Sequence, residues 1–341
     1  MVESASDTAT FCATLVDEWI ARGLKHAVIA PGSRSTPLAL ALAERYEIDV
    51  HVFHDERSAA FCALGIGVAT KVPAVLLCTS GTAATHFHAA VVEAGLSLVP
   101  MIVCTADRPP VLHGVGAPQT IDQQNLYGPA ARLFLDVPPQ TGSDAPTWRP
   151  LAQRAWMTAL DAMNPGPVHV NLGFREPLVG ARGELPDPIG VVEVEGPRVV
   201  ADAAIIDALR VDRGIVVAGE GVTDHDAVCE WLDRLGWPVL ADPRSGLRLL
   251  DDRLRRAPVI SAADPILRAP NMQKRLAPQV VLRIGEPPVS KVVTGWLASL
   301  SVPTIAISRR PTVTDPDRIV THSMTGPIEE SLAALGDVDG S

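Results

Sequence analysis

Short apolar runs, rich in β-branched residues, alternate with longer segments of helical periodicity along the first half of the chain. Strands of about four to eight residues separated by helical segments are typical of βαβ units. The alternation therefore predicts a parallel sheet with helices on both faces. The predicted strands are His26–Ala30, Asp49–Phe53, Ala74–Cys78, Met101–Thr105, Leu133–Val137 and Val168–Leu172, and the predicted helices are Asp7–Arg22, Pro37–Arg45, Ser58–Ala69, Thr82–Ala94 and Trp148–Met163.

A second alternating region follows a stretch, 186–197, that is rich in Gly, Pro and acidic residues and has no periodicity. We interpret this stretch as a linker. The sequence thus predicts an α/β protein of two doubly wound parallel-sheet domains, 1–185 and 198–336. In the second domain the predicted strands are Gly214–Ala218, Pro238–Ala241, Gln279–Ile284 and Pro303–Ile307, and the predicted helices are Asp224–Leu235, Asp264–Leu276, Val289–Leu300 and Pro327–Leu335.

The composition narrows the class of protein. Of the 341 residues, 47% are hydrophobic, which is enough for a core in each domain. The formal net charge of −10 and the lack of a dense Lys/Arg cluster argue against a nucleic-acid or anionic-membrane partner, and no apolar run approaches the length of a membrane span. The five cysteines form no CxxC pair and the N-terminus carries acidic residues where a signal peptide would be basic, so we expect a cytoplasmic protein with reduced thiols.

Four polar segments interrupt the apolar strands of the first domain, each just before a predicted helix. In an open parallel sheet, ligands bind beyond the carboxyl ends of the strands. One such loop is explained by helix capping, because Ser, Thr and Asp satisfy the free N–H groups of a helix start. Four at the same edge favour a binding site. They are PGSRS at 31–35, HDER at 54–57, TSGT at 79–82 and ADRPP at 106–110.

Glu56 is the most informative single residue of these segments, because a carboxylate directly after a strand lies at the edge of the sheet. The alternative is a first-turn glutamate that only complements the helix dipole. His86 and His88 resemble a metal-binding pair, but residues two apart in a helix point to nearly opposite faces. The sequence has no HExxH motif and no Cys/His cluster, so we expect no metal bound by protein ligands.

In this order and spacing the polar motifs resemble one family of enzymes. They are PGSRSTPL at 31–38, DER at 55–57, TSGTA at 79–83, TADRPP at 105–110, GAPQTIDQ at 116–123 and REPL at 175–178. Together they are similar to the 2-succinyl-5-enolpyruvyl-6-hydroxy-3-cyclohexene-1-carboxylate (SEPHCHC) synthases, which are thiamine-diphosphate enzymes of menaquinone biosynthesis. The resemblance is dense over 9–180 and thinner over 198–336.

The resemblance implies a fold, a cofactor and a reaction. The first domain corresponds to the pyrimidine-binding domain and the second to the Rossmann-like central domain of these enzymes. The implied cofactors are thiamine diphosphate and magnesium. The implied reaction decarboxylates 2-oxoglutarate and adds the remaining four-carbon unit to isochorismate, in a dimer or a dimer of dimers.

The resemblance also implies roles for individual residues. Glu56 corresponds to the catalytic glutamate, which hydrogen-bonds N1′ of the cofactor's aminopyrimidine and thereby activates it. Both substrates carry carboxylates, which require cations and hydrogen-bond donors. The implied residues are Pro31, Glu56, Thr79 and Ser80 for the cofactor and Ser33, Arg34, Gln119 and Lys291 for the substrates; from spacing alone, Lys291 is also explained as a solvated first-turn lysine.

Two departures from the family pattern leave alternatives open. Pro118 stands where many members have asparagine, which removes an amide side chain next to Gln119. The Gly-Asp-Gly motif that holds magnesium and the diphosphate in the family's third domain does not occur in 1–341. We therefore expect no turnover from this chain alone, as a fragment, one subunit of a split enzyme or a protein without catalysis. The alternatives are an acetolactate-synthase-like enzyme and a non-catalytic module that binds a carboxylated metabolite.

Overall fold

Two parallel six-stranded sheets organise the chain in the computed structural model, which describes residues 6–190, 199–249, 253–310 and 312–336. The chain divides into two units, Met1–Val194 and Glu195–Ser341. Most of the predicted linker, 191–197, and the terminal segment 337–341 lie outside the described residues. The sheets confirm the predicted α/β class with two doubly wound domains.

The first unit contains a sheet of strand order β2-β1-β3-β4-β6-β5, in which every neighbouring pair is parallel. Its strands are β1 (His26–Ile29), β2 (Asp49–Val52), β3 (Ala74–Cys78), β4 (Met101–Asp107), β5 (Leu133–Val137) and β6 (Pro167–Gly173). Its helices are α1 (Asp7–Ala21), α2 (Thr36–Ala43), α3 (Glu56–Thr70), α4 (Thr82–Thr85), α5 (His88–Leu96) and α6 (Ala145–Ala159).

Helices cover both faces of this sheet, and each face has its own apolar core. One core joins α1, α2 and α6 to the sheet, and its largest fully buried side chains are Trp19 and Trp148. The other joins α3 and α5 to the opposite face around Phe87 and Tyr127. Since both faces are covered, β3, β4 and β6 are buried along their whole length.

The second unit repeats the architecture with the strand order β12-β11-β10-β7-β8-β9, again all parallel. Its strands are β7 (Gly214–Ala218), β8 (Val239–Ala241), β9 (Val259–Ile260), β10 (Val280–Ile284), β11 (Thr304–Ser308) and β12 (His322–Thr325). Its helices are α7 (Ala203–Leu209), α8 (His225–Leu235), α9 (Ala263–Leu267), α10 (Pro270–Arg275), α11 (Lys291–Ser299) and α12 (Ile328–Leu335).

The structure corrects several predicted elements. The helix predicted over Thr82–Ala94 is two helices, because α4 ends before His86 and α5 starts at His88. The helix predicted over Asp264–Leu276 is also two, since Pro270 has no N–H to continue the first and begins the second. The short β9 and β12 and the seven-residue α7 were not predicted. Among the described residues, no helix is long and apolar enough to cross a membrane.

Candidate active site at the carboxyl edge of the first sheet

The four polar segments of the first unit follow four strands that lie side by side. The strands β2, β1, β3 and β4 are consecutive neighbours in the sheet. Because the strands are parallel, their carboxyl ends meet at one edge, and so do the loops that follow them. After β1 the chain forms β2 on one side of β1 and then β3 on the other side. The loops after β1 and β3 therefore lead to opposite sides of the sheet, and the position between these two strands is a topological switch point.

Gly32 and Thr79 meet at this switch point. A Cβ atom added to Gly32 would overlap the side chain of Thr79, so only glycine allows the two loops to approach this closely. The hydroxyl oxygen of Thr79 is buried and has no hydrogen-bond partner among the described residues. An unsatisfied buried hydroxyl is costly and is expected where a ligand completes its hydrogen bonding.

The loop after β1 is held by the Ser35 hydroxyl within the loop and by contacts of Arg34 with the loop after β6. The Ser35 hydroxyl donates to the Gly32 carbonyl at 2.9 Å and accepts from the Gly32 N–H at 3.2 Å. The Arg34 guanidinium, 12% exposed, donates to the Phe174 carbonyl at 3.1 Å and pairs with the Glu176 carboxylate at 3.3 Å. The loop after β6 thus fixes Arg34. Pro31 and Ser33, which lie with Arg34 in the loop after β1, are exposed.

Glu56 is the first residue of α3 and half-buried. The helix cap is made by the preceding residue, because the Asp55 carboxylate accepts from the Ser58 N–H at 2.7 Å. Burial raises the pKa of the Cys78 thiol, and the charge of Glu56 raises it further, which places the Glu56 carboxylate near the end of β3. Within the described residues this carboxylate accepts no hydrogen bond.

The loop after β3 contains Ser80, which contacts both Arg108 and Gln119. The Arg108 guanidinium donates to the Ser80 hydroxyl and, at 2.6 Å, to the Gln119 carbonyl. The Gln119 side-chain amide donates to the Ser80 carbonyl at 3.0 Å. Gln119 has φ +55°, a left-handed conformation that costs a non-glycine residue about 1–3 kcal/mol and is common at functional sites.

A buried polar network, which the sequence analysis missed, lies under this cluster. Asn171 of β6 contacts Thr105 of β4 at 2.8 Å, and Thr105 contacts the His169 ring at 2.8 Å. The Asn171 amide also donates to Asp107 at 2.9 Å and to Asp136 at 3.0 Å. The available signal was the presence of polar residues inside otherwise apolar strands, since a buried polar side chain requires partners.

The remaining predicted residues lie elsewhere. Lys291 is the exposed first residue of α11 in the second unit. His86 and His88 do not share one helix as predicted, and His88 packs against Tyr127 with 5.9 Å between the ring centroids. The described residues contain no group of three or more His, Cys, Asp or Glu that could hold a metal ion.

The chain is similar to thiamine-diphosphate enzymes in both units. Residues 10–126 match the family model of the thiamine pyrophosphate enzyme N-terminal TPP-binding domain, and residues 192–335 match that of the middle domain. The similar curated proteins include SEPHCHC synthases of Thermobifida fusca (44% identical, 83% of this chain), Listeria innocua (40%, 85%) and Geobacillus kaustophilus (42%, 86%). The matches cover 51%, 52% and 53% of these three proteins, so the chain spans about half the length of the curated relatives it matches.

We predict that His169 makes the first unit sensitive to acid. Burial lowers the pKa of His169 from its ordinary 6.5 to about 3, and the charge of Asp136 opposes this only in part. Between these two values the unfolded chain binds a proton that the folded chain does not. The free energy of unfolding should therefore fall by up to about 1.4 kcal/mol per unit as pH drops from about 6.5 towards 3.

Urea unfolding at a series of pH values between 7.5 and 4.5 measures this dependence. In the variant His169→Gln, the slope of the free energy of unfolding against pH should decrease by the contribution of about one proton. Replacement of the exposed His86 by Gln controls for the removal of a histidine. Equal slopes in the wild type and His169→Gln would contradict the prediction.

Proposed function

The chain belongs to the thiamine pyrophosphate enzymes, whose N-terminal and middle domains it carries, and we propose that it forms the pyrimidine-binding and central part of a SEPHCHC synthase. The proposed reaction decarboxylates 2-oxoglutarate and joins the product to isochorismate, in menaquinone biosynthesis. The curated relatives named for this product support the proposal.

The proposal depends above all on the groups gathered at the switch point of the first sheet. Gly32 contacts Thr79. The charge of the Glu56 carboxylate raises the pKa of the thiol of Cys78, the residue just before Thr79. The site thus combines a half-buried glycine backbone, an unpartnered buried hydroxyl and a carboxylate that accepts no hydrogen bond from the described residues. A flat heteroaromatic ring with hydrogen-bonding nitrogens suits all three groups, and the aminopyrimidine of thiamine is such a ring.

Each group has a distinct task toward this ring. Gly32 allows Thr79 to lie close to the loop after β1, and the Thr79 hydroxyl can donate or accept one hydrogen bond to the ring. Glu56 would hold a proton between its carboxylate and N1′ of the aminopyrimidine. Bound thiamine diphosphate supplies the nucleophilic carbon and the electron sink for decarboxylation of a 2-oxo acid. Magnesium does not fit the described residues, because they contain no cluster of potential ligands.

The substrate carboxylates would be bound by the cations and donors of the neighbouring loops. Arg34 and Arg108 lie close enough that the charge of Arg34 adds to burial in lowering the pKa of Arg108. Two guanidinium groups that repel each other are stabilised by an anion placed between them. We propose Ser33, Arg34 and Gln119 as substrate ligands from the first unit and Lys291 as one from the second.

We expect Glu56→Gln to slow cofactor activation strongly without unfolding the protein. Gln cannot hold the proton at N1′, so hydrogen–deuterium exchange at C2 of bound thiamine diphosphate should slow by on the order of a hundredfold or more. The measurement uses a protein in which these two domains are joined to a diphosphate-binding domain. Asp7→Asn is the control, since Asp7 is also a first-turn carboxylate but contacts Gly142 and none of the four loops. Equal exchange rates in the wild type and Glu56→Gln would show that Glu56 is not the activating residue.

Arg34→Ala should impair substrate binding and leave C2 exchange nearly unchanged. A charge-assisted hydrogen bond contributes about 1.5–3 kcal/mol, which corresponds to a roughly ten- to hundredfold higher KM for a carboxylate substrate. Steady-state kinetics of the same three-domain protein measures this, with Arg154→Ala, an exposed arginine of α6, as the control. A loss in kcat with unchanged KM would rule out the assigned role.

We propose that the chain assembles into dimers or dimers of dimers through the exposed faces of α3 and α5. On α3, Phe61 and Val68 are 46% and 48% exposed, and Gly65 between them has open space around it. Apolar side chains beside a small residue permit close contact with a second helix. Light scattering at micromolar concentration should show an oligomer that Phe61→Glu dissociates and Tyr46→Glu, at another exposed position, does not. A monomeric wild type would disprove this assembly.

A further inference from the structure

The peptide group between Ser80 and Gly81 is held at both ends by glutamine side chains. Its carbonyl accepts from the Gln119 amide at 3.0 Å, and its N–H donates to the Gln123 side-chain oxygen at 2.8 Å. Gly81 has φ +82°, and a Cβ there would lie 2.9 Å from the Gln119 side chain. The backbone at Gly81 is therefore confined to one orientation that only glycine adopts easily.

Gln123 and Gln119 differ in what surrounds them. Gln119 is exposed, whereas Gln123 is 1% exposed. The Gln123 amide nitrogen donates to Asn171 at 2.8 Å and to the Ala106 carbonyl at 3.2 Å. Every polar atom of the buried glutamine thus has a partner, and a rotation of its amide by half a turn would break all three hydrogen bonds.

The orientation of Gln123 is dictated by Asn171. The Asn171 nitrogen faces two carboxylates, Asp107 at 2.9 Å and Asp136 at 3.0 Å, and a carboxylate only accepts hydrogen bonds. Its oxygen must therefore face Gln123 and Thr105, the latter at 2.8 Å. Gln123 must then present its nitrogen to Asn171, which leaves its oxygen for the Gly81 N–H.

We propose that Gln123 is a positioning residue that fixes the Ser80–Gly81 peptide, with its orientation set by Asn171 and the two carboxylates behind it. The peptide so fixed directs the Ser80 carbonyl toward Gln119 and keeps the adjoining Thr79 against Gly32. The importance of this loop for cofactor binding rests on the proposed function. The fixation itself does not, because it is defined by hydrogen bonds within the first unit.

Amide hydrogen exchange at Gly81, resolved by NMR on the full chain without cofactor, tests the inference. Gln123→Met keeps the length of the side chain but removes the acceptor, so exchange at Gly81 should accelerate at least tenfold. Exchange at Val103, in the middle of β4, reports any general loss of stability and should change less than twofold.

Two matched variants separate positioning from general destabilisation. Gln124→Met alters the adjacent glutamine, which is exposed and donates to Asp136 at 2.6 Å without contacting Gly81. Thr105→Val removes a buried hydroxyl from the same network but leaves Asn171 between its two carboxylates. Both should leave Gly81 exchange within about twofold of the wild type. Parallel acceleration at Gly81 and Val103, or an equal effect of Thr105→Val, would overturn the proposal.

Gln123→Glu tests the direction of the hydrogen bonds and also serves if Gln123→Met does not fold. When protonated, the new carboxyl group donates one O–H to Asn171 and accepts from Gly81, as glutamine does. When ionised, it has no donor for Asn171, whose side chain alone connects it to the charges of Asp107 and Asp136. Protection of Gly81, relative to the wild type at the same pH, should be near normal at pH 5 and lost by pH 8. Protection that is absent at both pH values, or unchanged at both, would overturn the proposal.

Discussion

Parallel strand pairing in the first sheet places the ends of β2, β1, β3 and β4 along one edge, and the candidate chemistry depends on that alignment. The chain moves to opposite sides of β1 when it forms β2 and β3, which leaves space between the loops after β1 and β3. Gly32 determines how far that space closes, because its missing side chain admits Thr79. The geometry of the candidate site therefore follows from the topology of the sheet and from the missing side chain of Gly32.

Polar groups inside the sheet are hydrogen-bonded to the loop after β3 through Gln123. Strands β4 and β6 have seven residues each, and all of them are buried. They nevertheless include the polar residues Thr105, Asp107, His169 and Asn171. Burial of an unpaired polar side chain costs several kcal/mol, and the hydrogen bonds of Thr105 with His169 and Asn171 and of Asn171 with Asp107 offset that cost. The set connects the interior of the sheet to Gly81 at the edge through Gln123.

The sequence pattern was sufficient for the strands of the first unit and for the residues at their ends. Alternating apolar runs predicted all six strands of the first sheet, and the position of Glu56 at a strand end followed from the same pattern. The pattern could not identify the pairing of Gln123 with Asn171, which are 48 residues apart, or of Arg34 with Phe174, which are 140 apart. It also missed the break between α4 and α5, because apolar periodicity continues through His86.

The second unit has a switch point whose loops are arranged differently. Its strands diverge between β7 and β10, as those of the first unit do between β1 and β3. There, however, the loops close on each other: the Glu286 N–H donates to the Glu220 carbonyl at 2.8 Å, and a Cβ on Gly219 or Gly285 would overlap the facing backbone. The Glu286 N–H and the Glu220 carbonyl thus satisfy each other at this position. In the first unit the corresponding position keeps the Thr79 hydroxyl without a partner among the described residues, so the two switch points differ in the polar groups that they leave for a ligand.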